Sequence, residues 1–223
     1  MEERAIDAVV FDFGGVLTTP IGSSTGQWLA DEGIVEGSFR TTMREWLVGK
    51  AALGSPVHRL ETGELAGPDF ERELAARLVT SSGSPVVAAG LLTRMFAMMV
   101  PDEAMLALIR ELKAAGLRVG LLSNSWSNHY PAEVLGLCDP VVISGEVGLR
   151  KPDPAIFQLL LDRLGLPARR TAFVDDVPPN VAAAAALGIH AVHHVDATTT
   201  RTALLPLVPD LPAVAPAPGN GTG

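Results

Sequence analysis

Asp12, Ser123, Asn124, Lys151, Asp175 and Asp176 are the residues whose types and surroundings could do chemistry. Asp12 closes an apolar run and is followed by Gly14 and Gly15, while Ser123 and Asn124 end LRVGLLSN. Lys151 lies in GLRKPDPAIF, and Asp175 and Asp176 end TAFVDD. Each has an ordinary account by itself. A strand-end Asp serves as a helix N-cap or turn residue, and Ser-Asn is common turn chemistry. KPDP suits a helix entry because Pro fits the first helical turn, and DDVPPN reads as a solvated loop. Jointly these accounts fail, because independent stretches deliver three acids, a hydroxyl and a lysine that complement one another. Three carboxylates at one rim repel unless a cation sits among them, and oxygen ligands of this kind suit Mg²⁺.

The elements that must position them follow a simple alternation. AVVFDF, LRVGLLSN, VVISGE, TAFVDD and IHAVHHV are short apolar strand candidates, each followed by a loop and a helical stretch. Between Pro101 and Gly116, Met105, Leu108, Ile109 and Leu112 fall on one helical stripe, with Asp102 and Glu103 in the first turn. A second helix is expected from Pro154 to Leu164, with Ile156, Leu159, Leu160 and Leu164 inward, and a third over VAAAAALG. Strands alternating with such helices imply an α/β fold: a three-layer, Rossmann-like core with a parallel sheet covered on both faces. In such sheets ligands bind beyond the carboxyl ends of the strands, where the residues above lie.

Residues 20–98 interrupt the alternation. PDFERELAARL puts Phe70, Leu74 and Leu78 on one helical face, and VVAAGLLTRMFAMMV reads as a strongly apolar helix. The expected organisation is an α/β core at 1–19 and 99–205, an all-helical cap inserted at 20–98, and a flexible Pro/Ala/Gly-rich tail at 206–223.

FDFGGVL, LETGELAGPDF, LLSNSW, GLRKPDPAIF and FVDDVPPNV, in this order over about residues 7–195, resemble the haloacid dehalogenase superfamily of hydrolases. The likeness is to its helical-cap subclass, in the branch of bacterial sugar phosphatases and the N-terminal phosphatase-like domain of soluble epoxide hydrolases. The resemblance implies that Asp12 is the nucleophile that forms an aspartyl-phosphate, splitting one hard displacement into two easier ones. It further implies that Mg²⁺ is held by Asp12, the Gly14 carbonyl and Asp176, with Asp175 alongside through water. Ser123 would hydrogen-bond the phosphoryl group, with Asn124 and Gly15 near it. Lys151 would orient Asp12 and balance the negative site. Asn180 would fix the metal loop by hydrogen bonds, or simply cap a helix.

One position departs from the pattern. Most phosphatases of the superfamily carry a second Asp two residues after the nucleophile, where this chain has Gly14. General acid–base help is worth about 10² to 10⁴ in rate. Three functions follow: a Mg²⁺-dependent phosphatase of a small phosphorylated metabolite such as a sugar phosphate, placed first; a metal-free 2-haloacid dehalogenase, against which the Asp175–Asp176 pair argues; and a catalytically weakened binding module.

Composition bounds the rest. The 223 residues carry a net charge of −8, which speaks against a nucleic-acid surface. One cysteine, Cys138, excludes an internal disulfide framework and fits a cytoplasmic setting. No apolar run approaches the roughly 20 residues of a membrane span, and MEERAIDAVV does not read as a signal peptide. A monomer or weak homodimer suits the composition. His193 and His194 would point to opposite faces of a strand and so not share one ion. Trp126 and His129 either touch substrate or pack in their loop. Trp28, Trp46, His58 and Arg59 are candidates to line the pocket, and MFAMMV reads as cap or hinge core.

Overall fold

A computed structural model describes residues 4–47 and 54–212. Five strands form one parallel sheet: β1 (Ala8–Phe11), β2 (Arg118–Ser123), β3 (Val141–Ile143), β4 (Thr171–Asp175) and β5 (His190–His193). Their order is β3-β2-β1-β4-β5. The chain runs outward from β1 in one direction through β2 and β3, then starts again on the other side with β4, which makes the β1 end a switch point. β1, sequence AVVF, is buried along its whole length, as a strand covered on both faces must be.

Alternation along the strands sends side chains to two separate cores. Val9 and Phe11 of β1 pack in one cluster with Met105, Ile109 and Leu112, whereas Ala8 and Val10 join Ile156, Phe157 and Leu160 in the other.

Between β1 and the next core helix the described residues form α1 (Ile21–Asp31), α2 (Glu36–Leu47), α3 (Pro56–Glu61), α4 (Gly67–Ala75) and α5 (Leu91–Phe96). They share an apolar cluster of their own, built on Trp28, Trp46, Leu60, Phe70, Leu74 and Leu91. The two connections to the core run side by side: Thr18 bridges Pro101, Thr19 N–H donates to Val100 O (2.8 Å) and Asp102 N–H to Leu17 O (2.9 Å). An insert tied at one narrow neck stays over one end of the sheet.

The core continues with α6 (Glu103–Ala114), α7 (Ala132–Leu137), α8 (Ser144–Val147), α9 (Pro154–Leu164), α10 (Pro178–Ala186) and α11 (Ala197–Leu204). α6 starts later than Pro101 because the Asp102 carboxylate caps it, accepting from Ala104 N–H (2.9 Å) and Met105 N–H (3.0 Å). α9 has the expected bounds, with Asp153 as its cap and Pro154 in the first turn.

Three expectations need correction. The apolar helix over VVAAGLLTRMFAMMV is only α5, because Gly90 adopts φ +74 and breaks the run. The strand in VVISGE stops at Ile143, and the next residues turn into α8. Residues 206–212 are not a loose tail: Val208 and Leu211 are buried beside α6 and α11. The rest of the expected tail, 213–223, lies outside the described residues. Among the described residues no helix is long and apolar enough to cross a membrane.

Candidate active site

The three central strands bring the expected residues to one place. Asp12 follows β1 directly, its N–H still bonded to Val174 O of β4 (2.9 Å). Ser123 ends β2 on one side of it, and Asp175 ends β4 on the other. Lys151 arrives from the loop before α9, and its side chain is only 1% exposed.

Lys151 organises the floor. Its Nζ lies 2.9 Å from Asp12 Oδ1 and 2.6 Å from Asp175 Oδ2. Burial works against its charge, but Asp12 and Asp175 outweigh that and raise its pKa. Asn124 fixes the backbone of Lys151: its side-chain Nδ2 donates to Lys151 O (3.0 Å), and Lys151 N–H donates to Asn124 Oδ1 (2.8 Å). The Asn124 side chain therefore positions the lysine.

Asp12 receives a second donor, Phe13 N–H, also on Oδ1 (2.7 Å). Both donors fall on Oδ1, so Oδ2 has no donor among the described residues. Burial pushes the Asp12 pKa up to about 6; Lys151 opposes the rise and Asp175 adds to it.

Asp175 is fully buried, and both its oxygens are engaged. Oδ1 accepts from Val177 N–H (2.8 Å), Oδ2 from Lys151, and Asn180 Nδ2 reaches both (3.0 and 3.1 Å). Asn180 thus holds the acid loop through Asp175. Asp176 differs: its Oδ1 is buried with no hydrogen-bond partner, and burial, with Asp175 beside it, raises its pKa.

Gly15 makes room for Asp176. It has φ +78, and a Cβ there would lie 2.6 Å from Asp176 Oδ2. Its N–H donates to Thr18 Oγ1 (3.0 Å), and Gly15 does not line the cavity. Gly14 does line the cavity.

This donor set fits a divalent cation. Asp12, Asp175 and Asp176 offer carboxylate oxygens within 4.8 Å of one another, three negative charges face one lysine, and Asp176 Oδ1 waits for a partner. A hard cation with oxygen ligands answers all three conditions.

Above the floor is a cavity of about 750 Å³ between core and inserted helices. Trp28, Trp46, His58 and Arg59 do not line it. Trp28 and Trp46 are buried in the insert's own cluster instead. Met95, Phe96 and Met99, from the stretch expected to be core, face the cavity. Trp126 lines it as well, edge-on to Phe96 at 4.5 Å, whereas His129 bonds Trp126 and Ser127 outside.

Sequence reasoning missed three further residues. Tyr130 stacks against Phe13, its buried hydroxyl close to Ser123 and Ser125 without good hydrogen-bond geometry to either. Arg150 pairs with Glu61 of α3 at 2.7 Å, joining the Lys151 loop to the insert. The adjacency of Arg150 to Lys151 was the available signal. His193 and His194 diverge as expected: His193 Nε2 meets Asp176 O (3.1 Å), while buried His194 bonds Thr200.

A carboxylate clamped by lysine at a parallel-sheet switch point, with further acids one strand away, defines a hydrolase site of known type. A family model for haloacid dehalogenase-like hydrolases matches residues 6–188, and the chain belongs to that family. It is 31% identical over 211 residues to a sesquiterpene phosphatase of Aspergillus oryzae, covering 90% of this chain and 96% of that one. It is 31% identical over 200 residues to a phosphoglycolate phosphatase of Rhodospirillum rubrum, covering 83% and 78%. It is 30% identical over 195 residues to acyl-CoA dehydrogenase family member 10 of Mus musculus; the match covers 85% of this chain but spans only 18% of that protein. The fold is similar to that of a HAD family enzyme from Bacteroides thetaiotaomicron in a magnesium complex, with TM-score 0.63, 20% identity, and 86% and 94% of the two chains covered.

Proposed function

We propose that this hydrolase is a Mg²⁺-dependent phosphatase that cleaves a phosphomonoester through an aspartyl-phosphate on Asp12, with residues 20–98 acting as a cap. Relatives named as phosphatases support the class of reaction. The observation that carries it is the asymmetry of Asp12: Lys151 and Phe13 N–H hold Oδ1, and Oδ2 is left without a donor.

Asp12 attacks phosphorus, and the bond from phosphorus to the ester oxygen breaks. The departing oxygen takes its proton from water, since Gly14 offers no acid. Water then attacks the phosphorus of the aspartyl-phosphate, freeing Asp12 and inorganic phosphate. Lys151 keeps Asp12 ionised and balances the phosphoryl charge, and the Ser123 hydroxyl donates to a phosphoryl oxygen. Asp12, Asp176 and the Gly14 carbonyl would hold Mg²⁺, which would supply positive charge to neutralise the phosphoryl oxygens. Without the acid, turnover of ordinary alkyl phosphates is slow. The setting we infer is cytoplasmic, with a monomer or weak homodimer.

Steady-state phosphate release from a panel that includes p-nitrophenyl phosphate, with Asp12→Asn as control, tests this. Release should require Mg²⁺ and fall about 10³-fold or more in the variant. Release that survives chelation or the substitution would overturn it. A second reading, dehalogenation by Asp12 attack on carbon, is favoured only by Gly14; chelator-insensitive chloride release from a 2-chloroacid would support it instead.

A further inference from the structure

The cavity over Asp12 is far larger than a phosphate needs. At about 750 Å³ it lies in the upper part of the roughly 300–1,000 Å³ range of small-molecule sites. The core side supplies most of its polar groups, among them Asp12, Ser123, Lys151 and Asp176, while the inserted helices add only Ser24, Thr25 and Glu61. The walls formed by the inserted helices are of another kind: Phe39, Met43, Leu60, Phe70, Met95 and Phe96.

Few groups on those walls could receive a hydroxyl: the Thr25 hydroxyl, and Glu61 Oε2 and Arg150 Nε, which have no hydrogen-bond partner among the described residues. The charges of Glu61 and Arg150 are paired with each other at 2.7 Å, and Ser24 is bonded to Thr19 at 3.0 Å. A sugar ring placed among Phe39, Met43, Leu60, Phe70, Met95 and Phe96 would leave most of its hydroxyls against apolar side chains, which is costly. A hydrocarbon would displace water from apolar surface, a gain of about fourfold in affinity per buried methylene. The unbranched, polarisable methionines suit a chain of variable shape.

We propose that the substrate is a phosphomonoester of a long apolar alcohol, alkyl or isoprenoid, whose tail lies among the inserted helices while its phosphate meets Asp12. This rests on the phosphatase function proposed above. The absent acid at position 14 is compatible with it, because binding energy from a remote part of a substrate can be used at the reacting centre. The sugar phosphate expected from sequence is disfavoured on the same grounds.

Two measurements separate the tail site from the chemistry. The first is kcat/KM with Mg²⁺, below micelle-forming concentrations, for ethyl, butyl, octyl and geranyl phosphate against glucose 6-phosphate. Octyl phosphate should exceed butyl phosphate by about 100-fold or more, geranyl phosphate should also exceed butyl, and glucose 6-phosphate should not. A preference for glucose 6-phosphate, or no dependence on chain length, would overturn the proposal.

The second is calorimetric binding of butylphosphonate and octylphosphonate, which cannot be hydrolysed. Octylphosphonate bound about 100-fold more tightly supports the tail site even if no ester is turned over, in which case only the phosphatase function fails. Equal binding overturns the tail site whatever the turnover. Met43→Glu should lower the octyl-to-butyl binding ratio by about tenfold or more, and Met43→Gln by less in the same direction. A ratio unchanged in both variants would place the tail elsewhere and overturn the proposal.

Discussion

Lys151 is the residue on which the floor depends. It is nearly inaccessible and touches two buried carboxylates, Asp12 and Asp175, so its charge faces both at once. Lys151→Met removes that charge while keeping most of the volume. It should destabilise the protein by about 3–5 kcal/mol, because two buried carboxylates lose their partner. Urea unfolding at pH 7 measures this, and an unchanged midpoint would contradict the role. The same electrostatics makes metal binding pH-dependent. The Asp12 pKa is raised to about 6, so below that pH the carboxyl holds a proton that a cation must displace. Mg²⁺ affinity should therefore rise by about tenfold per pH unit up to about pH 6 and level off above it. Titration calorimetry across pH 5–8 would show this; affinity that is flat below pH 6, or falls as pH rises, would contradict it.

At the scale of elements, the insert meets the core at a close approach of two backbones. Gly63, between α3 and α4, has φ +76, and a Cβ there would lie 2.5 Å from the carbonyl oxygen of Gly145 in α8. Gly63→Ala cannot be absorbed by a side-chain shift, since the obstacle is backbone. It should lift the insert, raise KM more than it lowers kcat, and lower Tm. Steady-state kinetics and a thermal melt that match the parent protein would rule out this seat. The contact also explains what the sequence could and could not tell. Asp12, Ser123 and Asp175 were legible because each ends an apolar strand, and parallel strands deliver their ends to one rim. The pocket walls were not, because they depend on how the inserted helices rotate. Trp28 and Trp46 are large enough to be drawn into the insert's own core, which leaves the thinner Met43, Met95 and Phe96 facing the cavity. Glu61 and Arg150 meet only through tertiary packing, being far apart in sequence.

Among the described residues, two apolar layers enclose the sheet and a third cluster stands apart in the insert. Rigidity of the sheet layers is what keeps Asp12 and Lys151 in register. Leu160, fully buried beneath the sheet, should cost about 2–5 kcal/mol when cut to Ala. Denaturant unfolding checks this, and a loss well under 1 kcal/mol would show that the layer is not packed as described. The most direct test of the whole account is to stop a single turnover with acid and look for phosphate on the protein by mass spectrometry. The account predicts a phosphorylated peptide containing Asp12, formed only with Mg²⁺ and absent in Asp12→Asn. Turnover that proceeds with no phosphate ever found on Asp12, or with the label on another residue, would contradict it.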